Sequence, residues 1–391
     1  MVIRTACLSC ARRLFIGDTF LARATLLLTS VASSDAAQLS NMDGGQNYYG
    51  EFSAFLPIRP TFRMAFGLAQ RQDDDTKLAA RRMVMKRMSV ITPSFAPDFE
   101  LCVDLHRSVL ECSPESVHHH IIVPRSDIKL FRRLAGPRTH IRCETDFLPS
   151  SFIPVPLTKF TVNLRQPIPP VRGWILQQVV KLAAVAASED DVAVVVDSDI
   201  EFIRPFGVET FLRNGVVRFY RKPDAIDQRL PKHIIWHQVA RALLGLKPAA
   251  PPYADYISSL LAWNPAIVRQ MLAKVANATG HLWTTAIAGQ LHFSEWTLYG
   301  VFVDEAIGTP ANSFVSDDPL CLAYWNDGPL SRQGAIDLLR GVRPTDVAAM
   351  ISAKSRTPLA VRRAAFAGHR AALTARHQQT RADDPIPNVQ G

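Results

Sequence analysis

The chain alternates short apolar runs with segments whose apolar residues recur at helical spacing. Residues 88–92 (MSVIT) form an apolar-rich run that stops at Pro93-Ser94, the mark of a buried strand followed by a turn. Leu101, Leu105, Val109 and Leu110 then share one face of a helix over 98–112. Residues 118–124 (HHHIIVP) and 139–143 (THIRC) predict a second and a third strand, 173–187 (GWILQQVVKLAAVAA) a long helix, and 192–197 (VAVVVD) a central strand. This alternation predicts an α/β fold with a mostly parallel central sheet flanked by helices. In such sheets ligands collect at the carboxyl ends of the strands. Beyond Pro205 the pattern is mixed. It predicts a strand at 216–220, helical stretches over 235–247 and 255–276, a helix starting within 293–303, and a helix with a loose tail over 354–391.

One run asks for chemistry. In residues 192–205 (VAVVVDSDIEFIRP), five apolar residues lead straight into Asp197-Ser198-Asp199. Buried carboxylates cost several kcal/mol unless they are paired, protonated or bound to a cation. The edge of a sheet is where two can stay ionised and close, and such a pair suits a hard divalent metal with oxygen ligands. Three readings follow from the residues: a solvated turn, an Asp-nucleophile phosphatase with Asp197 as nucleophile, or a nucleotide-sugar transferase whose Mn²⁺ or Mg²⁺ is held by Asp197 and Asp199. Against the phosphatase, Glu201 stands where such enzymes carry Thr or Val, and other strands precede this one.

Trp174, Gln177, Gln178 and Lys181 follow i, i+3, i+4, i+7, which puts all four on one helix face. Two glutamines and a lysine beside a tryptophan predict a polar site there. The His118-His119-His120 triplet lies on a strand, where successive side chains face opposite ways. The three cannot converge on one ion and are taken as structural.

The net charge of +9 points at first to nucleic acid or an anionic membrane. Its distribution argues otherwise: residues 1–87 and 354–391 each carry +5, and residues 88–353 carry −1. A nucleic-acid-binding face would put the excess on the folded core, so no nucleic-acid partner is expected. Six cysteines in 391 residues do not make a disulfide framework, and Cys7-x-x-Cys10 lacks a second pair at zinc-ribbon spacing. No run of 18 uncharged apolar residues occurs, so no transmembrane helix is predicted. Residues 14–37 have the outline of a signal peptide, but Asp18 and Arg23 interrupt it. A cytoplasmic location is expected, with peripheral contact at the inner membrane through the basic flanks as the alternative. Three parts are expected: a poorly ordered extension over 1–87, a main domain over 88–353, and a basic helical or disordered tail over 354–391.

The order of SVITPSF, RGWILQQVVKL, VVVDSDIEFIRPF, LLAWNPAIV and FSEWTLYG resembles a bacterial family of glycosyltransferase-like proteins, first grouped as a domain of unknown function. The resemblance covers about residues 88–355 and implies the GT-A fold of nucleotide-diphospho-sugar transferases. It also implies transfer of a sugar from a nucleoside-diphosphate donor to a glycan or lipid-linked acceptor, in polysaccharide or glycoconjugate synthesis. A GT-A fold that binds nucleotide-sugar or glycan without transfer is the alternative. The resemblance implies donor contacts from Thr92, Pro93, Ser94, Arg172, Trp174, Gln178, Lys181, Asp197 and Ser198, and metal ligation by Asp197 and Asp199. Glu295 would be the catalytic base, with Asp304 and Glu305 behind it. Trp263, Trp296 and Tyr299 would meet the acceptor, with Asn264, Trp236 and His237 as further candidates. The family pattern of a late histidine ligand is missing: none lies between His292 and His369, and Asp318 and Asp327 fall in that region instead.

Overall fold

The computed structural model describes residues 86–383, except 156, 157, 159 and 309–313. The extension expected over 1–87 lies outside the described residues apart from Lys86 and Arg87, which bond to Asp191 and to the Glu189 carbonyl. No described helix is long and apolar enough to cross a membrane.

The central sheet is built from β1 (Met88–Pro93), β2 (His118–Val123), β3 (Thr139–Cys143), β7 (Val192–Val195) and β10 (Leu261–Trp263). Its order is β10-β7-β1-β2-β3, and only β10 is antiparallel to its neighbour. The protein is thus a mixed α/β structure with a mainly parallel central sheet. All four residues of β7 are buried, as a central parallel strand requires. The strand order reverses between β1 and β7. β1 is followed on one side by β2 and β3 and joined on the other by β7, so their carboxyl ends open a crevice of the kind that binds ligands in α/β sheets.

Helix α1 (Phe99–Cys112) covers one face of this sheet, burying Leu105 and Val109 among Val90, Val192 and Val194. Helix α2 (Gly173–Ala187) covers the other. Its Ile175, Val179, Leu182 and Val185 are buried with Ile91, Ala193 and Val195, together with residues of helices α3 (Pro231–Leu243), α4 (Pro265–Thr279) and α5 (Trp283–Ala288). A helix apolar nearly all round must be buried nearly all round, and α2 has only a short exposed start.

Sequence patterning misses three features. Residues 152–172 form an antiparallel sheet of β4 (Phe152–Pro154), β5 (Phe160–Asn163) and β6 (Gln166–Arg172). Pro167, Pro169 and Pro170 hide β6, which tolerates them because it is an edge strand. The expected helix over 255–276 starts only at Pro265, capped by Asn264, whose side chain accepts from the Ala266 and Ile267 N–H groups. The preceding LAW is the strand β10. Finally, β8 (Ile200–Phe202) leaves the Asp197-Asp199 turn to join a separate sheet with β12 (Cys321–Tyr324) and β13 (Ala348–Ile351); β9 (Val216–Tyr220) and β11 (Phe314–Ser316) pair in another.

The packed unit continues past residue 353. Helix α8 (Leu359–Asp383) buries Phe366 and Ala365 against helix α7 (Arg332–Arg340) and β13. Its Arg363 pairs with Asp104 and Glu100, and its Arg370 with the buried Glu201.

Candidate functional site

The site forms where β1 and β7 end. Ser198 Oγ donates to Ser94 Oγ at 2.8 Å, tying the two strand ends together. Asp197 and Asp199 flank Ser198. Lys181, two turns into α2, reaches this point from beneath: its Nζ stands 2.8 Å from Asp197 Oδ1 and 3.1 Å from Glu295 Oε1. The Lys181 and Glu295 side chains are nearly fully buried, while Asp197 still exposes 36% of its side chain. One ammonium thus bridges a buried and an outward-facing carboxylate. Burial would push Lys181 down, but Asp197 and Glu295 together outweigh that and hold it above the ordinary lysine value, so it stays charged. Trp296 lies over the same ammonium, 5.1 Å from ring centre to Nζ.

Helix α6 (Glu295–Val301) supplies Glu295 at its first position. Ser294 caps it through the Thr297 N–H, and the Glu295 N–H donates to Gln178 Oε1 at 2.9 Å. Gln178 in turn donates to the Trp174 carbonyl. The α2 face predicted from spacing is real, and it grades from exposed Trp174 to buried Gln178 and Lys181. The glycine of the SEWTLYG stretch has a packing reason: a Cβ on Gly300 would lie 2.0 Å from the Tyr256 ring. Gly300→Ala is expected to destabilise the fold by about 2–3 kcal/mol through overpacking, read from the urea midpoint.

Asp199 is held from the C-terminal segment. Its Oδ2 accepts from the Ala353 N–H at 2.7 Å, and its carbonyl accepts from Arg362 at 2.9 Å. Burial, then the charge of Asp197, pushes the Asp199 carboxyl up to about 6. Asp98, just after β1, is raised by burial and by the same Asp197 charge. Among the described residues no three His, Cys, Asp or Glu side chains already present a metal-ligand set. The donors offered are the two carboxylates of Asp197 and Asp199, with Lys181 taking one oxygen of Asp197.

The remaining expected residues divide. Ser94, Ser198, Gln178, Lys181, Trp296 and Glu295 come together here. Pro93 is buried at the end of β1, and Arg172 is exposed at the N-cap of α2. Thr92 is fully buried and bonded to His119 at 3.0 Å, so it does not face a donor. Trp263 and Tyr299 are core residues, stacked at 5.3 Å, with the Tyr299 hydroxyl accepting from the Asn264 N–H. Both rings are buried, so neither face is open to solvent where an acceptor was expected to meet them. Glu295 is likewise not a solvent-facing base but the buried partner of Lys181. Asp304 is bound by Arg221 and Tyr256, Glu305 by Arg241, and Asp318 by Arg343; Asp327 is exposed. His237 is buried against Tyr253, while Trp236 stacks at an angle on exposed Trp174, 5.9 Å away. Sequence reading misses Asp98 and Arg362. The acidic residue in SFAPDFE, directly after a strand ending in the crevice, is the signal that marks the first. No local signal marks the second.

Residues 89–320 match the model of a family of unknown function, DUF6492. No curated protein matches the sequence. Among solved structures, that of an active-site mutant of LgtC aligns with 73% of this chain and 96% of that one, at 12% identity and a TM-score of 0.38.

Proposed function

The chain belongs to the DUF6492 family, and from its crevice we propose a GT-A-like, metal-assisted glycosyltransferase that takes a nucleoside-diphosphate sugar as donor. One observation carries the reading. Two carboxylates stand at the end of the central strand, at the point where strand order reverses, and repulsion from Asp197 helps push Asp199 up to about 6. A divalent cation relieves that repulsion, and Mg²⁺ or Mn²⁺ is commonly held by one or two carboxylates and completed by phosphate oxygens. The donor set fits such an ion. When bound, it would neutralise charge on the leaving diphosphate.

The chain's own residues supply the rest. Lys181 fixes Asp197 in position and keeps a positive charge behind it. The Ala353 N–H orients Asp199, and the Ser94–Ser198 bond holds the two strand ends at a constant separation. Trp296 and the exposed Trp174 offer aromatic faces on the α2 side, suited to the apolar face of a sugar. The role of nucleotide-sugar contact is kept for Ser94, Ser198 and Arg172, that of acceptor contact for Trp296, and Gln178 and Lys181 act from behind the site by holding Glu295 and Asp197.

A second reading, binding of nucleotide-sugar or glycan without transfer, is favoured by one feature: Glu295 is locked under Lys181 and is not poised as a base. Calorimetric titration of the full chain with UDP and GDP, with and without Mn²⁺, tests both readings. The expected result is metal-dependent binding of one nucleotide, lost in Asp199→Ala. Metal-independent binding that survives in Asp199→Ala overturns the metal role. Binding of neither nucleotide by folded protein overturns the assignment to these donors. Release of free nucleotide diphosphate from the matching sugar donor separates transfer from binding.

A further inference from the structure

The antiparallel sheet of β4, β5 and β6 has one buried side and one bare side. Phe152, Thr161, Asn163 and Val171 are buried, and Asn163 Nδ2 donates to Thr285 Oγ1 of α5 at 3.1 Å. Alternate residues face the other way. Ile153 pairs with Val162, and Phe160 with Arg172, so these four share the outer side. Ile153 and Phe160 are 45% and 47% exposed there. Leu164-Arg165 forms the turn between β5 and β6, and Ile168 stands in the irregular stretch of β6 that follows. Leu164 is 65% exposed and Ile168 81%. Trp174, just past the end of β6, is exposed as well. Folded surfaces scatter such side chains singly, whereas here they recur along one short segment.

We infer that this hairpin face is a docking surface for an anionic phospholipid bilayer. Charge selects that occupant. Residues 147–188 contain no Asp or Glu, and neither do residues 256–294. The fold packs these two stretches together. Besides the Asn163–Thr285 bond, Gln166 lies against Gly289, where an added Cβ would stand 2.8 Å from Gln166 Nε2. Leu291, close by in sequence, is exposed too. The charges that the two stretches bring to the surface are therefore all positive, with Arg165 at the tip of the hairpin and Arg172 beside Phe160. Solvated surfaces intersperse both signs. Apolar side chains projecting from a turn among cations suit the interfacial layer of a membrane instead. There apolar groups enter the acyl boundary, guanidinium groups meet lipid phosphates, and tryptophan sits at headgroup level.

The sheet edges argue against a protein strand as the occupant. β6 is an edge strand with prolines at 167, 169 and 170, and β4, the other edge, is short and ends in Pro154. Proline offers no N–H to a further strand.

The face also adjoins the crevice. Trp174 and Lys181 lie on one helix, two turns and so roughly 10 Å apart along its axis. On the glycosyl-transfer reading, an acceptor carried on a lipid headgroup would reach the site without leaving the bilayer surface. The docking itself does not depend on that reading.

The test is co-sedimentation of the untagged full chain, without nucleotide, with vesicles of phosphatidylcholine and phosphatidylglycerol (about 3:1) and with vesicles of phosphatidylcholine alone. Binding to the mixed vesicles is expected, weakened about tenfold or more without the anionic lipid and lowered by about 0.5 M NaCl. Leu164→Ser/Ile168→Ser is expected to weaken it by about tenfold or more, because two apolar side chains no longer leave water. Arg165→Gln is expected to weaken it by about fivefold, the effect of one basic side chain at an anionic leaflet. Melting curves check that both variants fold. Absence of binding to the mixed vesicles overturns the proposal. So does binding that neither variant weakens, which would place the contact in the basic flanks. A dimer in sedimentation equilibrium that Leu164→Ser/Ile168→Ser abolishes overturns it in favour of a second copy on this face.

Discussion

Lys181→Met is expected to destabilise the protein by about 3–5 kcal/mol, the range for breaking a buried ion pair from one side. The substitution keeps the length and apolar stem of the side chain, so it tests the charge and not the volume. It leaves Glu295 buried without a counter-ion, whereas Asp197, partly exposed, can turn to water and contributes less. Lys181→Met/Glu295→Gln should recover most of the loss, because a buried pair replaced as a unit is often near neutral. Urea midpoints of the two single variants and the double variant give the coupling energy. The pH dependence has a definite sign. Burial and the Asp197 charge raise the Glu295 carboxyl even beside Lys181. Without the lysine, the folded state takes up a proton at higher pH than the unfolded one. The deficit of the single variant therefore shrinks as pH falls through that raised value. A deficit independent of pH, or no recovery in the double variant, would show that Lys181 acts by packing.

Asp199→Asn should have opposite effects on stability and on binding. The Asp199 carboxyl is pushed from its ordinary 3.8 up to about 6. Its contribution to stability is thus greatest below the unfolded value and is lost as pH rises through about 6. At pH 7–8 the metal-free protein keeps an unfavourable charge there. The amide removes that charge while retaining an oxygen to accept from the Ala353 N–H. A gain of roughly 2 kcal/mol at neutral pH is expected, shrinking towards pH 4, together with loss of Mn²⁺-dependent nucleotide binding. Thermal melts across pH, paired with the titration, check both. A variant less stable than the parent at neutral pH would show that the carboxylate is held by favourable contacts and is not poised for a cation.

Much of this site is legible in the sequence, and for a physical reason. A short continuous apolar run within a strand–helix alternation reads as a central strand, and a strand that ends in two carboxylates places them at the sheet edge. Helical spacing likewise put Gln178 and Lys181 on one face. What the pattern does not carry is the partner across the fold. Glu295 reads as a base because a carboxylate in a first helical turn fits solvent as well as it fits a lysine. Its distance to Lys181, 114 positions away in sequence, exists only after packing. Trp263 and Tyr299 read as sugar-stacking residues for a similar reason: an aromatic side chain looks the same in a sequence whether its face meets a ligand or another ring. The His118-His119-His120 triplet reads as structural because successive strand residues face opposite ways, and its cross-strand neighbour His140 is not visible in the pattern because strand register is a tertiary property.

The bonds from the C-terminal segment to Asp199 have a kinetic consequence. The first three strands and α1 lie close together in sequence and can pair early. Asp199 waits for groups 154 and 163 positions downstream. Contacts of such separation close late, because a long loop must be ordered before they reward it. During synthesis on the ribosome, the central sheet can therefore be assembled while its second carboxylate is still unrestrained. The crevice reaches its final charge arrangement only when Arg362 has emerged and α8 has docked, so binding competence appears as one of the last events of folding.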